Sequence, residues 1–348
     1  MNKKIILIVL ALVGMVLEVN AKKKSGEDVF PESLPMKKDT VDTNKSGNPK
    51  DLTQVLATPT TMERANIVTP SAQQVNDEIL AGIKDSLIRM RKIKFSPELL
   101  REEKELKLMF DSLLQRDTRS EERIEINNRI FARFRNSLRL QGSFFYPFDS
   151  LQNIGRIYSD DYNIRVYTWC IELEDLSYRF YGLIQDLNTD KVWALEQNSA
   201  VYIPRETQKI APRRWYGALY YKVMNIKKGD DPQYIVLGWS QPNPSMKMKI
   251  IDVLDFSDEK LLLGGDETFK GYHGKADRIV FTYCSNLNIS LVYDEKKKRF
   301  VFDHVTPLSD EYDNPLGCNG PDMSYDQLKK KGKRWVLKKD VDVTNDFE

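Results

Sequence analysis

The sequence predicts a mainly β protein with an N-terminal helical segment, α+β overall, whose strands form an antiparallel meander. Between residues 163 and 341, short apolar or aromatic runs alternate with charged, Asn-rich or Gly-containing turns, the pattern of strands joined by tight hairpins. Before that region, apolar residues recur at intervals of three and four, the spacing of amphipathic helices. Such a meander closes as a barrel or packs as a sandwich, and a small propeller-like arrangement is the alternative.

The stretch from residue 213 to residue 239 predicts the core of the β region. It forms two apolar runs, 213–226 and 233–240, around a charged turn. A strand with one wet face alternates apolar and polar side chains, because successive side chains point to opposite faces. These runs are apolar on both faces. We therefore expect central strands covered on both sides, with Leu219 fully buried.

Four segments are predicted along the chain. Residues 1–21 have the basic start, the short apolar run and the small-residue cleavage site of a signal peptide. Residues 22–74 are rich in Lys, Ser, Thr, Asn and Pro, and we expect a disordered linker because they cannot bury enough apolar surface. A helical segment of two or three amphipathic helices follows at 75–141, and an antiparallel β-domain at 142–345.

Charge and hydropathy limit the expected partners. The 348 residues carry 53 Lys and Arg against 51 Asp and Glu, a formal net charge of +2. A nearly neutral chain gives no electrostatic case for binding nucleic acid or an anionic membrane surface. No long apolar run follows the signal peptide, so we expect no integral membrane segment after its cleavage. The protein is expected to be exported, either periplasmic or secreted.

Several motifs of the β region carry a family resemblance. They are Phe148-Asp149-Ser150-Leu151, Arg165–Trp169, Trp215–Tyr221, Val236–Trp239, Phe302-Asp303-His304 and Gly320–Asp326. Together they cover most of residues 144–342 and resemble an uncharacterised family of exported, β-rich proteins from Bacteroidetes. The resemblance implies an exported β-rich module. Because the shared residues are core aromatics and turns, it implies no catalytic set.

The sequence predicts no catalytic and no cofactor-binding residues. His304 ends a strand and would act as a general base only with a carboxylate from elsewhere in the fold, since its neighbour Asp303 points to the opposite face. His273 lies in a loop and lacks the spacing of a metal site. The serines form no nucleophile elbow, and the glycines form no phosphate-binding loop.

Residues 309–326 form an acidic segment that is predicted to be an irregular loop. Carboxylate oxygens suit Ca²⁺, and Asp310, Asp313 and Asp322 are the candidate ligands. Their spacing departs from the EF-hand pattern. A solvated acidic loop without metal is therefore the preferred interpretation, with calcium as the alternative.

The three cysteines predict one disulfide. Cys170 and Cys284 end two similar runs, 163–170 and 277–284, which share the pattern Val, aromatic, Thr, aromatic, Cys. Both thiols would lie on the same face of their strands as the Val and Thr residues. The oxidising compartment expected for an exported protein would permit a disulfide. We predict a Cys170–Cys284 bond, with Cys318 as the odd thiol.

The predicted function is that of an exported, non-enzymatic module that binds an unknown protein or glycan partner or scaffolds an envelope assembly. This prediction rests on the lack of a catalytic set. A hydrolase acting on envelope or dietary polymers is one alternative, because a glycosidase needs two suitably separated carboxyl groups that sequence spacing does not reveal. A glycan-binding module is another, although aromatic residues on strands belong mostly to the core.

Cleavage of the signal peptide is expected after Ala21, because Val19-Asn20-Ala21 places small residues at the cut. N-terminal sequencing of the protein isolated from its native host should begin at Lys22. An intact Met1 in an inner-membrane fraction would contradict this prediction.

Overall fold

The computed structural model describes residues 95–113, 119–197, 202–227, 229, 231–308 and 319–343. Within them, the helices α1 (Glu98–Leu113) and α2 (Ser120–Ser137) precede fifteen strands. Ser96 begins the first helix, since its Oγ accepts a hydrogen bond from the backbone N–H of Glu98 at 3.3 Å. No helix in this part of the chain is both long and apolar enough to cross a membrane. The predicted segments 1–21 and 22–74 lie outside the described residues, as do residues 75–94 of the predicted helical segment.

The strands form three sheets. The first sheet has the order β1-β2-β3-β4 and contains β1 (Gly155–Tyr158), β2 (Ile164–Glu172), β3 (Tyr178–Asp186) and β4 (Val192–Glu196). The second has the order β11-β7-β6-β5, with β8 beside β7, and contains β5 (Leu219–Lys227), β6 (Gln233–Asn243), β7 (Met246–Asp255), β8 (Leu262–Leu263) and β11 (Ile279–Cys284). The third has the order β10-β9-β15-β14-β13-β12 and contains β9 (Phe269–Gly271), β10 (Gly274–Ala276), β12 (Leu291–Asp294), β13 (Arg299–Pro307), β14 (Asn319–Lys331) and β15 (Arg334–Lys338).

The layers stack in chain order, from the helices through the first and second sheets to the third. The helices cover one face of the first sheet, and an apolar cluster fills each of the next two interfaces. Ring contacts mark the three interfaces in turn: Phe134–Trp169, Phe180–Trp239 and Phe281–Phe302. Among the described strands, all pairs run antiparallel except β9 with β15. The predicted mainly β class, with antiparallel sheets preceded by helices, is confirmed; face-to-face stacking is common to sandwiches and to neighbouring propeller blades.

The prediction of central strands between 213 and 240 is confirmed for β6 and wrong for β5. In β6, Val236 packs towards the first sheet and Leu237 towards the third, and both are buried. β5 is an edge strand, and a bulge between Tyr220 and Lys222 breaks its register with β6. Leu219 is only partly buried. It begins the edge strand and lines a cleft that also contains Tyr220, so packing encloses it incompletely.

The predicted irregular loop at 309–326 is in part a strand. Residues 319–326 belong to β14, which pairs with β13 on one side and β15 on the other. Few of these residues are apolar, so the strand is imposed by its two neighbours rather than by intrinsic preference. Asp310 and Asp313 lie outside the described residues.

The predicted Cys170–Cys284 disulfide is wrong, because Cys170 is a free thiol. Cys284 is disulfide-bonded, and Cys318 lies outside the described residues. β2 packs near β5, whereas β11 is at the other edge of the second sheet, three strand positions away. Three strand spacings amount to about 14 Å, twice the roughly 7 Å between Cα atoms that a disulfide allows. Burial raises the pKa of the Cys170 thiol to about 11.

Replacing Leu237 by Ala tests the central position of β6. Leu237 is 1% exposed, so Leu237→Ala should lower the free energy of unfolding by about 2–5 kcal/mol through lost apolar burial and a new cavity. The matched control is Leu108→Ala on α1, where the side chain is 64% exposed and the change should stay within about 0.5 kcal/mol. Urea unfolding of the three proteins makes the comparison, and equal losses would contradict the layered core.

Candidate functional site

The main polar cluster of the third sheet surrounds His304, and we call Tyr272, His304, Asp322 and Asp326 the imidazole cluster. Asp326 Oδ2 accepts hydrogen bonds from His304 Nδ1, at 2.7 Å, and from Tyr272 Oη. Its Oδ1 accepts a third from the backbone N–H of Asp340 at 2.8 Å. The Asp326 side chain is 1% exposed, so these donors satisfy a buried carboxylate.

A bulge between β13 and β14 positions the imidazole. Asp303 is paired with Tyr325 and Val305 with Pro321, so residues 322–324 of β14 lie opposite the single residue His304. Asp326, the second residue after the bulge, reaches the imidazole across the strand pair at 2.7 Å. Bulges commonly redirect side chains in this way at the edges of functional sites.

The bulge itself is held by a turn of its own. Asp322 Oδ1 accepts hydrogen bonds from Ser324 N–H at 3.0 Å and from Ser324 Oγ at 2.7 Å, the arrangement of an Asx turn. Between them, Met323 adopts φ 70°, which is strained for a residue other than Gly. Its side chain is 89% exposed. The fold thus fixes a large apolar side chain in open solvent beside the cluster. We call residues 322–324 the Met323 bulge.

A tight turn brings in the tyrosine. β9 and β10 pair Gly271 with Gly274, leaving Tyr272 and His273 as the two turn residues. Gly274 has φ 98°, which a larger residue would adopt only with strain. The Tyr272 ring packs edge-on against the His304 ring, with centroids 5.7 Å apart. Lys339 Nζ lies 5.1 Å from the Tyr272 centroid.

The carboxylates shape the electrostatics of the cluster. Burial, and next the hydrogen bond to Asp326, raise the pKa of the Tyr272 hydroxyl, so it remains protonated and donates. Partial burial alone would raise the pKa of Asp322, but the hydrogen bonds from Ser324 outweigh it and lower that pKa overall. Asp326 thus accepts a hydrogen bond from the neutral Tyr272 hydroxyl, and Asp322 accepts one from the Ser324 hydroxyl.

The cluster is only partly suited to acid–base catalysis. Asp326 orients the imidazole through Nδ1, as a general base requires. The other nitrogen, Nε2, lies 4.0 Å from Asp322 Oδ2. Tyr272 Oη lies 3.4 Å from Nδ1, and among the described residues no Ser or Cys is hydrogen-bonded to Nε2. A nucleophilic triad does not form within this part of the chain.

The described residues contain no group of three or more His, Cys, Asp or Glu side chains that could hold a metal ion. Of the three candidate calcium ligands, Asp322 lies in the Met323 bulge and is engaged by Ser324. The calcium interpretation stays a prediction.

Sequence reasoning identified His304 and its need for a carboxylate from elsewhere, and it missed the two partners. Asp303 is bound elsewhere, accepting from Ser290 N–H at 2.7 Å. Asp326 supplies the carboxylate from 22 positions along the chain. The Gly271–Gly274 spacing was a signal for the hairpin that carries Tyr272. No local signal could place either residue next to His304, because the register of β14 decides it.

Comparisons with known proteins give no identification. No protein-family model and no curated protein matches the chain. A solved structure with a partial likeness is the GH32 β-fructofuranosidase of Bombyx mori, at 10% identity and a TM-score of 0.15. The match covers 53% of this chain and 50% of the silkworm enzyme. A likeness at that level carries no argument about fold or function.

Exchanging Asp326 for Asn tests the cluster. Asn keeps the size but removes the charge and turns an amide N–H₂ towards donors, so Asp326→Asn should lower the free energy of unfolding by about 1–3 kcal/mol. Asp322→Asn is the matched control. Its side chain is 38% exposed and Asn also makes Asx turns, so the change should stay within about 0.5 kcal/mol. Urea unfolding distinguishes them, and similar losses would show that Asp326 does not anchor the cluster.

Proposed function

We propose that this protein is an exported, non-enzymatic module that binds a protein partner through the Met323 bulge. The observation that carries the proposal is the Met323 side chain, 89% exposed on a backbone of φ 70°. Export rests on the signal-peptide pattern of residues 1–21 and on the resemblance to exported Bacteroidetes proteins.

Strain and exposure together support binding. A residue other than Gly in the left-handed region costs of order 1–3 kcal/mol, and such residues concentrate at ligand-contact sites. Here the Asx turn of Asp322 holds the strained backbone, and that backbone displays an apolar side chain to solvent. Methionine is flexible and polarisable, so it adapts to the shape of a partner.

The surroundings make this surface ready to bind. The buried Asp326 fixes His304 and Tyr272 beside the Met323 bulge, so a partner would meet ordered polar groups around a central apolar contact. Ordering these groups in advance reduces the entropy lost on association. An apolar centre with a polar rim is the usual arrangement of a protein interface.

A hydrolase is the second candidate, favoured by the hydrogen bond between Asp326 and His304. In this alternative, the imidazole would activate water through Nε2. The position of Asp322 weighs against it, because the group recorded beside Nε2 is a carboxylate, with Oδ2 at 4.0 Å, rather than a nucleophile.

Site-specific photo-crosslinking tests the binding proposal. With a benzophenone amino acid in place of Met323, the protein in its native host should form a defined adduct with one partner, identifiable by mass spectrometry. The same amino acid at Leu108, also exposed but on α1, is the matched control and should not form that adduct.

Two results would contradict the proposal. One is the absence of any adduct at position 323 above the level at position 108. The other is hydrolysis of an envelope or dietary polymer by the purified protein that His304→Ala abolishes and Met323→Ser leaves intact. That result would establish the hydrolase alternative instead.

A further inference from the structure

We propose that a second surface, at the opposite end of the third sheet, binds an acidic polysaccharide. It consists of the β12–β13 turn, residues 295–298, and the β14–β15 turn with its flanks, residues 329–334; we call it the lysine end. The proposal is independent of the Met323 bulge.

Strand pairing assembles the lysine end from two separate runs of sequence. β12, β13, β14 and β15 are consecutive neighbours, and the pairs Asp294–Arg299 and Lys331–Arg334 close the two turns. Arg299 is also paired with Lys329, which puts both turns at the same end of the sheet. Two strand spacings, about 10 Å, separate them. Seven exposed lysines are thereby brought together: Lys296, Lys297, Lys298, Lys329, Lys330, Lys331 and Lys333.

Three carboxylates near this end offset little of that charge, because they are paired with other cations, whereas Asp160 at the cleft accepts a hydrogen bond from the backbone N–H of Asn225 at 2.7 Å. Asp294 pairs with Arg299 at 3.2 Å, and Glu295 pairs with Lys222. Glu267 pairs with Arg334 at 2.8 Å and with Lys275 at 2.7 Å. The lysine end therefore carries a concentrated positive field on a chain whose net charge is +2.

A cleft of about 310 Å³ opens at the lysine end, between the second and third sheets. Three ammonium groups, two carboxylates and two rings line it: Lys222, Lys298, Lys330, Asp160, Glu295, the half-buried Tyr293 and the buried Trp335. Lys222 Nζ lies 5.8 Å from the centroid of the Tyr293 ring. An ammonium group beside the half-buried Tyr293 ring suits an acidic sugar, whose carboxylate or sulfate meets the charge while its C–H face packs on that ring.

Two features favour an acidic polysaccharide over other polyanions. The exposed basic residues of the lysine end are Lys, a point charge, except Arg334, which is paired with Glu267, whereas paired N–H groups of Arg are preferred for the phosphates of nucleic acids. The turn residues include no large apolar side chain to enter a bilayer, as peripheral membrane binding by protein surfaces usually requires. A cleft can also accommodate a flexible polysaccharide chain, whereas a flat bilayer surface cannot enter it.

Polygalacturonate is the probe for the test, with neutral dextran, single-stranded DNA and phosphatidylglycerol vesicles as comparisons. Isothermal titration at low salt should detect binding to polygalacturonate, which should weaken as salt screens the charges. The double variant Lys298→Glu, Lys330→Glu should bind at least about tenfold more weakly, because it reverses two charges of the cleft. Lys104→Glu, Lys107→Glu makes the same charge change at exposed positions of α1 and should stay within about twofold, because three layer spacings of about 10 Å each separate α1 from the third sheet.

Both double variants should fold, because all four positions are exposed, and thermal unfolding checks this. Met323→Ser should leave polygalacturonate binding unchanged, so failure of this proposal and failure of the proposed partner surface are separable. Three outcomes would overturn the proposal: no binding to polygalacturonate, equal losses in the two double variants, or tighter binding of DNA or vesicles through Lys298 and Lys330.

Discussion

A fully buried ion pair constrains the middle of the molecule. Arg278 donates to Asp252 at 3.1 Å, and neither side chain is exposed. The guanidinium also donates to the backbone carbonyls of Arg205 and Leu263, each at 2.8 Å, and to that of Gln208. A buried charge is tolerated only when it is paired and its donors are satisfied, and leaving it alone costs roughly 3–5 kcal/mol. The loop before the second sheet must therefore follow a path that places its carbonyls around Arg278.

The buried charge of Asp252 also affects the hydrogen bonds at the start of β5. Burial, with the Asp252 charge as the next cause, raises the pKa of the Tyr216 hydroxyl, which stays protonated and meets Tyr220 Oη at 2.7 Å. Tyr220 Oη also accepts from Trp215 Nε1 at 2.9 Å. A polar network thus runs through the otherwise apolar interface between the first and second sheets. Such a network specifies one arrangement of the layers, because an alternative packing would leave its buried groups unpaired.

The sequence predicted the strands that are stabilised by their own apolar residues, and it missed those that depend on pairing with neighbouring strands. β6 is apolar on both faces, and that pattern predicted its burial because burial itself stabilises the strand. β14 has Leu328 as its large buried apolar residue, and its other residues are mostly Asp, Lys, Ser and Gly, so nothing local marked it as a strand. The same holds for the candidate site. The sequence identified His304 as a candidate residue, but its contact with Asp326 depends on the pairing of β13 with β14, which only the assembled sheet defines. The free Cys170 shows the limit of pattern similarity, since two alike strands lie in different layers.

Both proposed surfaces depend on one register between β13 and β14. The pairs Arg299–Lys329 and Phe302–Asp326 belong to the same uninterrupted alignment, so the register that joins the lysine turns also delivers Asp326 to His304. The two surfaces lie about 20 Å apart along these strands, at roughly 3.3 Å a residue. A slip by one residue would turn Leu328 out of the core and Asp326 away from the imidazole, because neighbouring side chains face opposite sides. The buried pairing of Leu328 with Phe300 opposes that slip at one end, and the three donors to Asp326 oppose it at the other. The strand that the sequence marked least clearly is therefore the one through which the fold controls both of its candidate binding surfaces.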